Sequence, residues 1–149
     1  MTITVLPILL VEDNPDDIAL FKRATSKAAV SCPLQVVSDG ETAIAYLLGT
    51  GIYADREHYP LPSLVLLDLK LPRKSGHEVL EWVRAQPNLR RLPVVVLTTS
   101  REVSDINRAY DFCVNSYLVK PFALDGLTDM VRALHDYWLT LNEAAELLP

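Results

Sequence analysis

Short, continuously apolar runs alternate along this chain with longer stretches in which apolar positions return every three or four residues. Leu6 to Val11, Leu64 to Leu67 and Val94 to Leu97 are of the first kind, and such unbroken runs suit strands buried on both faces. Leu34 to Ser38 and Ser116 to Val119 read as two further strands. The second kind predicts helices over Pro15 to about Ala29, Glu41 to Leu48, Ser75 to Gln86, Glu102 to Phe112 and from Leu124 onward. Asn14 is placed to cap the first helix, Pro15 occupies the position where a missing N–H costs nothing, and Asp16 and Asp17 oppose the positive end of the helix dipole. Ile18, Phe21 and Ala24 or Thr25 would face inward. Gly49 to Pro62, with two glycines and two prolines, reads as an irregular loop. Strand and helix alternate five times, which predicts an α/β fold: a doubly wound, five-stranded parallel sheet with helices on both faces. No repeat or linker divides the chain.

Composition narrows the function. The 149 residues suit one domain with a real core, and half are apolar, which excludes a disordered or collagen-like chain. A net charge of −5 argues against a nucleic-acid partner, which would require excess Lys and Arg. The longest apolar runs are too short to cross a bilayer, and Met1 to Thr4 carry no basic leader, so no membrane association and a cytoplasmic location are expected. Cys32 and Cys113 are too few for a disulfide framework and are expected as small buried apolar residues.

The polar residues that end the strands are the candidate chemistry. Glu12 and Asp13 end the first strand, Asp68 the third, Thr98 the fourth and Lys120 the fifth. Doubly wound sheets bind ligands outside these carboxyl ends. Helix capping accounts for Asp13 or Thr98 singly but not for the set. Three neighbouring carboxylates repel one another unless a hard cation neutralises them, which makes Mg²⁺ the expected cofactor. A carboxylate beside Mg²⁺ and a lysine can attack a phosphoryl group, and a hydroxyl can then hold one of its oxygens.

On these residues the chain resembles the receiver domains of bacterial two-component response regulators. The matching segments are Leu9-Leu10-Val11-Glu12-Asp13-Asn14, Leu66 to Pro72, Gly76, Val95 to Thr99 and Tyr117 to Phe122, and Thr98 and Lys120 follow Asp68 by 30 and 52 residues. The resemblance implies a flavodoxin-like sheet of order 2-1-3-4-5. It implies a receiver over residues 1–134, a C-terminal helical extension over 135–149 and no output domain. Asp68 would accept a phosphoryl group from a sensor histidine kinase. Glu12, Asp13, Asp68 and the carbonyl of Lys70 would hold the metal. Lys120 would pair with Asp68 and then with the phosphoryl group, and the bond to Pro121 would be cis. Thr98 and Tyr117 would be the switch pair. The product would be a non-enzymatic regulator that signals to a downstream protein. The long loop, the segment Pro93 to Ser100 and Tyr137-Trp138 look more narrowly like the small regulators of bacterial and cyanobacterial phytochromes, which often carry Asn at the position of Lys70. One alternative is a pseudo-receiver that binds partners without phosphorylation, against which Asp13, Asp68, Thr98 and Lys120 argue. A Mg²⁺-dependent phosphatase would carry an aspartate where Lys70 stands.

The remaining motifs point to little chemistry. Gly49 to Ala54 fits a dinucleotide fingerprint in letters, but it follows a helix rather than a strand. His58, His77 and His135 lack metal-ligand spacing and read as bystanders, and no Ser-His-Asp arrangement exists. Arg84, Arg90 and Arg91 read as a solvated basic group. Beyond Leu134 a receiver core is complete, so Tyr137, Trp138, Leu141, Leu147 and Leu148 form surplus apolar surface, and a homodimer interface is expected at Tyr137, Trp138 and Leu141.

Overall fold

The computed structural model describes residues 5–147. Its elements are β1 (Ile8–Val11), α1 (Pro15–Lys27), β2 (Leu34–Val37), α2 (Gly40–Leu48), β3 (Leu64–Leu67), α3 (Gly76–Ala85), β4 (Val94–Thr98), α4 (Val103–Asp111), β5 (Ser116–Val119) and α5 (Leu124–Leu134). The five strands are parallel in the order β2-β1-β3-β4-β5. The three central strands are buried along their whole length, whereas the edge strands β2 and β5 are mostly half-buried. That difference explains why only the central three are unbroken aliphatic runs. Alternate residues enter two cores. Leu9, Val11, Val65, Leu67 and Val96 meet α2 and α3, and Ile8, Leu10, Leu66, Val95 and Leu97 meet α1 and α5.

Three helices begin on side-chain caps. Asn14 Oδ1 accepts from the N–H groups of Asp16 and Asp17, Asp39 accepts from Thr42, and Ser75 and Glu78 form a reciprocal capping box. The first helix stops at Lys27, two residues before the expected end, because Ala29 turns into the left-handed region at φ 55°. The segment expected as an irregular loop contains one 3₁₀ turn, Gly51–Ala54, and is tightly tied. Arg56 donates to the carbonyls of Tyr46, Leu47 and Tyr59, and the rings of Tyr46, Tyr53 and Tyr59 meet with centroids 5.0–6.1 Å apart. Gly49 ends α2 in the left-handed region at φ 77°. It does not open a helix after a strand, so the fingerprint lookalike makes no phosphate cradle.

Tyr46 donates its hydroxyl to the Pro60 carbonyl at 2.8 Å. Burial pushes its phenol up to about 12, against the opposing pull of the Arg56 guanidinium. The folded value exceeds the ordinary 10.0, so folding favours the protonated phenol. That contribution is present in full below pH 10 and is lost as pH rises through about 12. Ultraviolet titration is expected to show a late tyrosine phase, absent from Tyr46→Phe. If the variant titrates like the wild type, the assignment fails.

Three expectations need correction. Arg84 is not a solvated charge. It is half-buried and donates to the carbonyls of Cys113, Arg90 and Leu92 and to Asn115 Oδ1, pinning α3 to the loops that precede β4 and β5. Cys113 is exposed rather than buried, because it takes up the left-handed turn after α4 at φ 60°, and Cys32 is only half-buried. The last helix does not continue regularly. At His135 it passes into a π-helical stretch, His135–Leu141, closed by an Asn142 N–H to Tyr137 carbonyl bond of 2.7 Å. The wider turn breaks the expected stripe. Trp138 packs beside the α1–α5 core, while Tyr137 and Leu141 stay exposed. The tail then crosses to the other core, where Leu147 packs and Arg91 donates to the Glu146 carbonyl. Leu148 lies outside the described residues. Among those residues no helix is long and apolar enough to cross a membrane.

Candidate functional site

Parallel strands deliver their last residues to one end of the sheet, and β1, β3, β4 and β5 bring Glu12, Asp13, Asp68, Thr98 and Lys120 together there. The order of the strands does this: β1 and β3 are neighbours, so Val11 lies beside Leu67 and the acids that follow them converge. One oxygen each from Glu12, Asp13 and Asp68 falls within 4.8 Å of the others. Glu12 and Asp68 are buried and Asp13 is exposed. An all-oxygen, multiply anionic donor set of this kind fits a hard divalent cation.

Lys120 enters from the end of β5. Its ammonium donates to Glu12 Oε2 at 2.6 Å, to Asp17 Oδ2 at 2.9 Å and to Asp68 Oδ2 at 2.9 Å. The other oxygen of Asp68 accepts from the N–H of Leu69 at 2.7 Å and, more weakly, from that of Lys70 at 3.4 Å. Burial pushes the Glu12 carboxyl up to about 7, against the Lys120 hydrogen bond, and the neighbouring charge of Asp68 adds to the rise. Burial also opposes ionisation of Asp68, but the hydrogen bonds from Lys120 and Glu12 outweigh it and hold that carboxyl below its ordinary value. For Lys120, burial disfavours the charge, and the three carboxylates overcome it and keep the ammonium protonated above its usual range. The surroundings thus favour the charge on Asp68 and oppose it on Glu12.

Thr98 is fully buried at the end of β4, and its hydroxyl accepts from the Ser100 N–H at 3.4 Å. The Tyr117 hydroxyl donates to the Ser100 carbonyl at 3.0 Å. Ser100 in turn donates to Asp105 Oδ2 at 2.6 Å, and the Asp105 carbonyl faces His77 Nε2 at 3.0 Å. Thr98 and Tyr117 therefore lie on one chain of hydrogen bonds that runs into the first turn of α4. Sequence reasoning missed most of this chain. It treated His77 as a bystander, although the residue is buried and joins α3 to α4. It also treated Asp17 as a helix-dipole residue only. No sequence signal was available, because Asp17 has the same place in the first helical turn as any acid that opposes the dipole. The side chain of Lys70 is exposed and makes no hydrogen bond among the described residues.

The Lys120–Pro121 bond is trans, and no cis peptide occurs among the described residues. The two isomers of an X-Pro bond differ by only about 0.5–1 kcal/mol, so local contacts decide between them. Here Lys120 reaches all three carboxylates with the trans bond, while its N–H donates to the Thr98 carbonyl at 2.8 Å.

A flavodoxin-like sheet that ends in an acidic cluster and a paired lysine defines a receiver. The chain belongs to the response regulator receiver domain family, which it matches over residues 8–132. It is 42% identical over 132 residues to the response regulator Rcp1 of Synechocystis sp., covering 89% of this chain and 88% of that one. It is 41% identical over 141 residues to the probable methanogenesis regulatory protein FilR2 of Methanothrix harundinacea, covering 92% and 86%. Among solved structures it resembles the phosphorylated cyanobacterial phytochrome response regulator RcpA, with a TM-score of 0.87, 40% identity and 96% and 100% of the two chains covered. The Mn²⁺-bound form of Rcp1 gives a TM-score of 0.82 at 39% identity, with 94% and 99% covered. Receiver domains bind a divalent metal, work as signalling modules, and in phytochrome systems partner with sensor histidine kinases.

Proposed function

We propose that Asp68 accepts a phosphoryl group from a histidine-kinase phosphohistidine, with Mg²⁺ held by Glu12, Asp13, Asp68 and the Lys70 carbonyl. The observation that carries this reading is the contact of Lys120 with Asp68 at 2.9 Å inside the carboxylate cluster. An Asp68 oxygen forms the new bond to phosphorus, the phosphorus–nitrogen bond breaks, and the imidazole leaves with the electron pair. The cation supplies charge neutralisation for the transferring oxygens. Lys120 supplies a further point charge, already within reach of those oxygens. Thr98 then meets a phosphoryl oxygen through its buried hydroxyl. That movement pulls on the bond to Ser100 and, through Tyr117 and Asp105, on α4, which together with β5 and α5 forms the face read by a downstream protein. Incubation with acetyl phosphate is expected to add one phosphoryl mass in the presence of Mg²⁺ and none with a chelator. Equal labelling in both conditions would count against the metal site, and no labelling in either would favour the pseudo-receiver.

The kinase proposed is a phytochrome-type photoreceptor in the cytoplasm, on the strength of the similarity to Rcp1 and RcpA. The near-equal identity to FilR2 makes the direct test decisive: transfer from a phosphorylated phytochrome kinase should outpace transfer from an unrelated kinase. The protein is also proposed to form a homodimer through the tail. Tyr137 is 53% and Leu141 72% exposed, and the Tyr137 ring stands edge-on to Trp138 at 5.0 Å. Removing the whole tail would disturb the intramolecular contacts of Trp138 and Leu147. Tyr137→Glu with Leu141→Glu changes the two exposed side chains, keeps Trp138 and Leu147 in place, and is expected to convert a dimer to a monomer in sedimentation. An unchanged mass would remove the tail from the interface.

A further inference from the structure

Lys120 has three ammonium protons and spends all of them on carboxylates. Two of those carboxylates, Glu12 and Asp68, belong to the cluster that fits a cation; the third, Asp17, does not. It stands in the first turn of α1, fixed there by the Asn14 cap, and its side chain is 38% exposed, against 12% for Lys120.

We propose that Asp17 is a positioning residue that anchors the Lys120 ammonium at the acceptor when Glu12 and Asp68 are taken up by the cation and the phosphoryl group. The inference rests on the reading of Asp68 as the acceptor. Lysine is a compact charge on a flexible four-carbon stem, and holding its head in one place has an entropic cost. In this structure three carboxylates share that task. Once the oxygens of Glu12 and Asp68 turn to a divalent cation, Asp17 is the lysine's remaining carboxylate partner outside the cation cluster. An ammonium held there reaches the phosphoryl oxygens without a new conformational search.

Asp17 is itself negative, so by charge alone its removal would strengthen the binding of an anion at Asp68. Anchoring predicts the opposite sign, and the two effects therefore separate in one measurement. The probe is beryllium fluoride, a phosphoryl mimic, titrated calorimetrically against the full chain in Mg²⁺. Asp17→Ala is expected to weaken binding about fivefold, the scale of one partly exposed ion pair. Asp17→Glu is expected to restore most of the loss. Asp16→Ala removes a neighbouring first-turn acid that has no lysine contact, and it should leave the affinity unchanged. In the complex with Mg²⁺ and beryllium fluoride, the side-chain ammonium resonance of Lys120 should be sharp in the wild type and broadened in Asp17→Ala. Unchanged or tighter binding by Asp17→Ala overturns the proposal, as does an equal loss in Asp16→Ala, which would assign the effect to the helix dipole. If the wild type itself fails to bind the mimic, the acceptor reading falls and this inference falls with it. Binding by the wild type with no effect of Asp17→Ala overturns the anchor alone.

Discussion

Asp68→Asn is expected to gain no phosphoryl mass under conditions that label the wild type fully, and to remain folded. The substitution exchanges one carboxylate oxygen for an NH₂ of the same size at a buried position. The amide oxygen can still accept from the N–H of Leu69, the bond that now measures 2.7 Å. What disappears is the nucleophile: an amide offers no second oxygen with a free electron pair for phosphorus. The contact of Lys120 with Asp68 Oδ2 at 2.9 Å is lost too, but the ammonium keeps Glu12 and Asp17, so it is not stranded as an unpaired buried charge. The stability change should therefore stay within about 1 kcal/mol while phosphorylation is abolished, since removing one of three crowded acids also relieves repulsion. Intact-mass measurement after acetyl phosphate treatment, with urea unfolding of the same samples, checks both halves. Labelling of Asp68→Asn at the wild-type level would move the acceptor to Glu12 or Asp13. A collapse of stability would make Asp68 a structural residue first.

The central strands were legible because burial on both faces leaves an unmistakable mark, and the edge strands because they fall in the alternation with the helices: Leu64 to Leu67 and Ser116 to Val119 lie where the pattern places them, and the others differ by a residue or two. The strand-end residues were legible for a related reason. A charged side chain directly after an aliphatic run is conspicuous, and a parallel sheet sends every such residue to the same end. Partners contributed by helices and loops were not legible. Asp17 looks like any acid in a first helical turn, and only the distance to Lys120 distinguishes it. Arg84 looks like any surface arginine, because its partners are backbone carbonyls, which have no letter in a sequence. His77 is hidden in the same way by its bond to the Asp105 carbonyl. The π-helical stretch at His135–Leu141 escapes any pattern based on a period of 3.6, since it changes the period itself.

Gly76→Ala is expected to destabilise the fold by about 2–3 kcal/mol, the upper part of the range for overpacking a buried site. Gly76 opens α3 immediately after the Ser75 cap, and its N–H donates to the Leu69 carbonyl at 2.9 Å. That bond folds the segment after β3 back onto the strand end. A methyl group on Gly76 would lie 2.2 Å from the Asp68 carbonyl oxygen and 2.7 Å from the Leu69 Cα. Both neighbours are backbone, so no side chain can swing aside; either α3 lifts or the end of β3 moves. Gly51→Ala provides the contrast. Its added methyl meets nothing within 4 Å, and the cost comes only from φ +60°, about 1 kcal/mol. With a urea slope of about 1–3 kcal/mol/M, the Gly76 variant should unfold at a midpoint lower by roughly 1 M or more, and the Gly51 variant by clearly less. The close approach also ties stability to chemistry, because the carbonyl that the methyl would strike belongs to Asp68 itself. A shift of even 1 Å there moves the carboxylate against Lys120 and the acidic cluster, and displacements of that size cost on the order of 10²-fold in positioned reactions. Gly76→Ala should therefore lose phosphorylation rate at temperatures where it is still fully folded, and Gly51→Ala should not. Wild-type stability and labelling in Gly76→Ala would mean that α3 can move away from the strand end without cost, and that the packing of Gly76 does not set the position of Asp68.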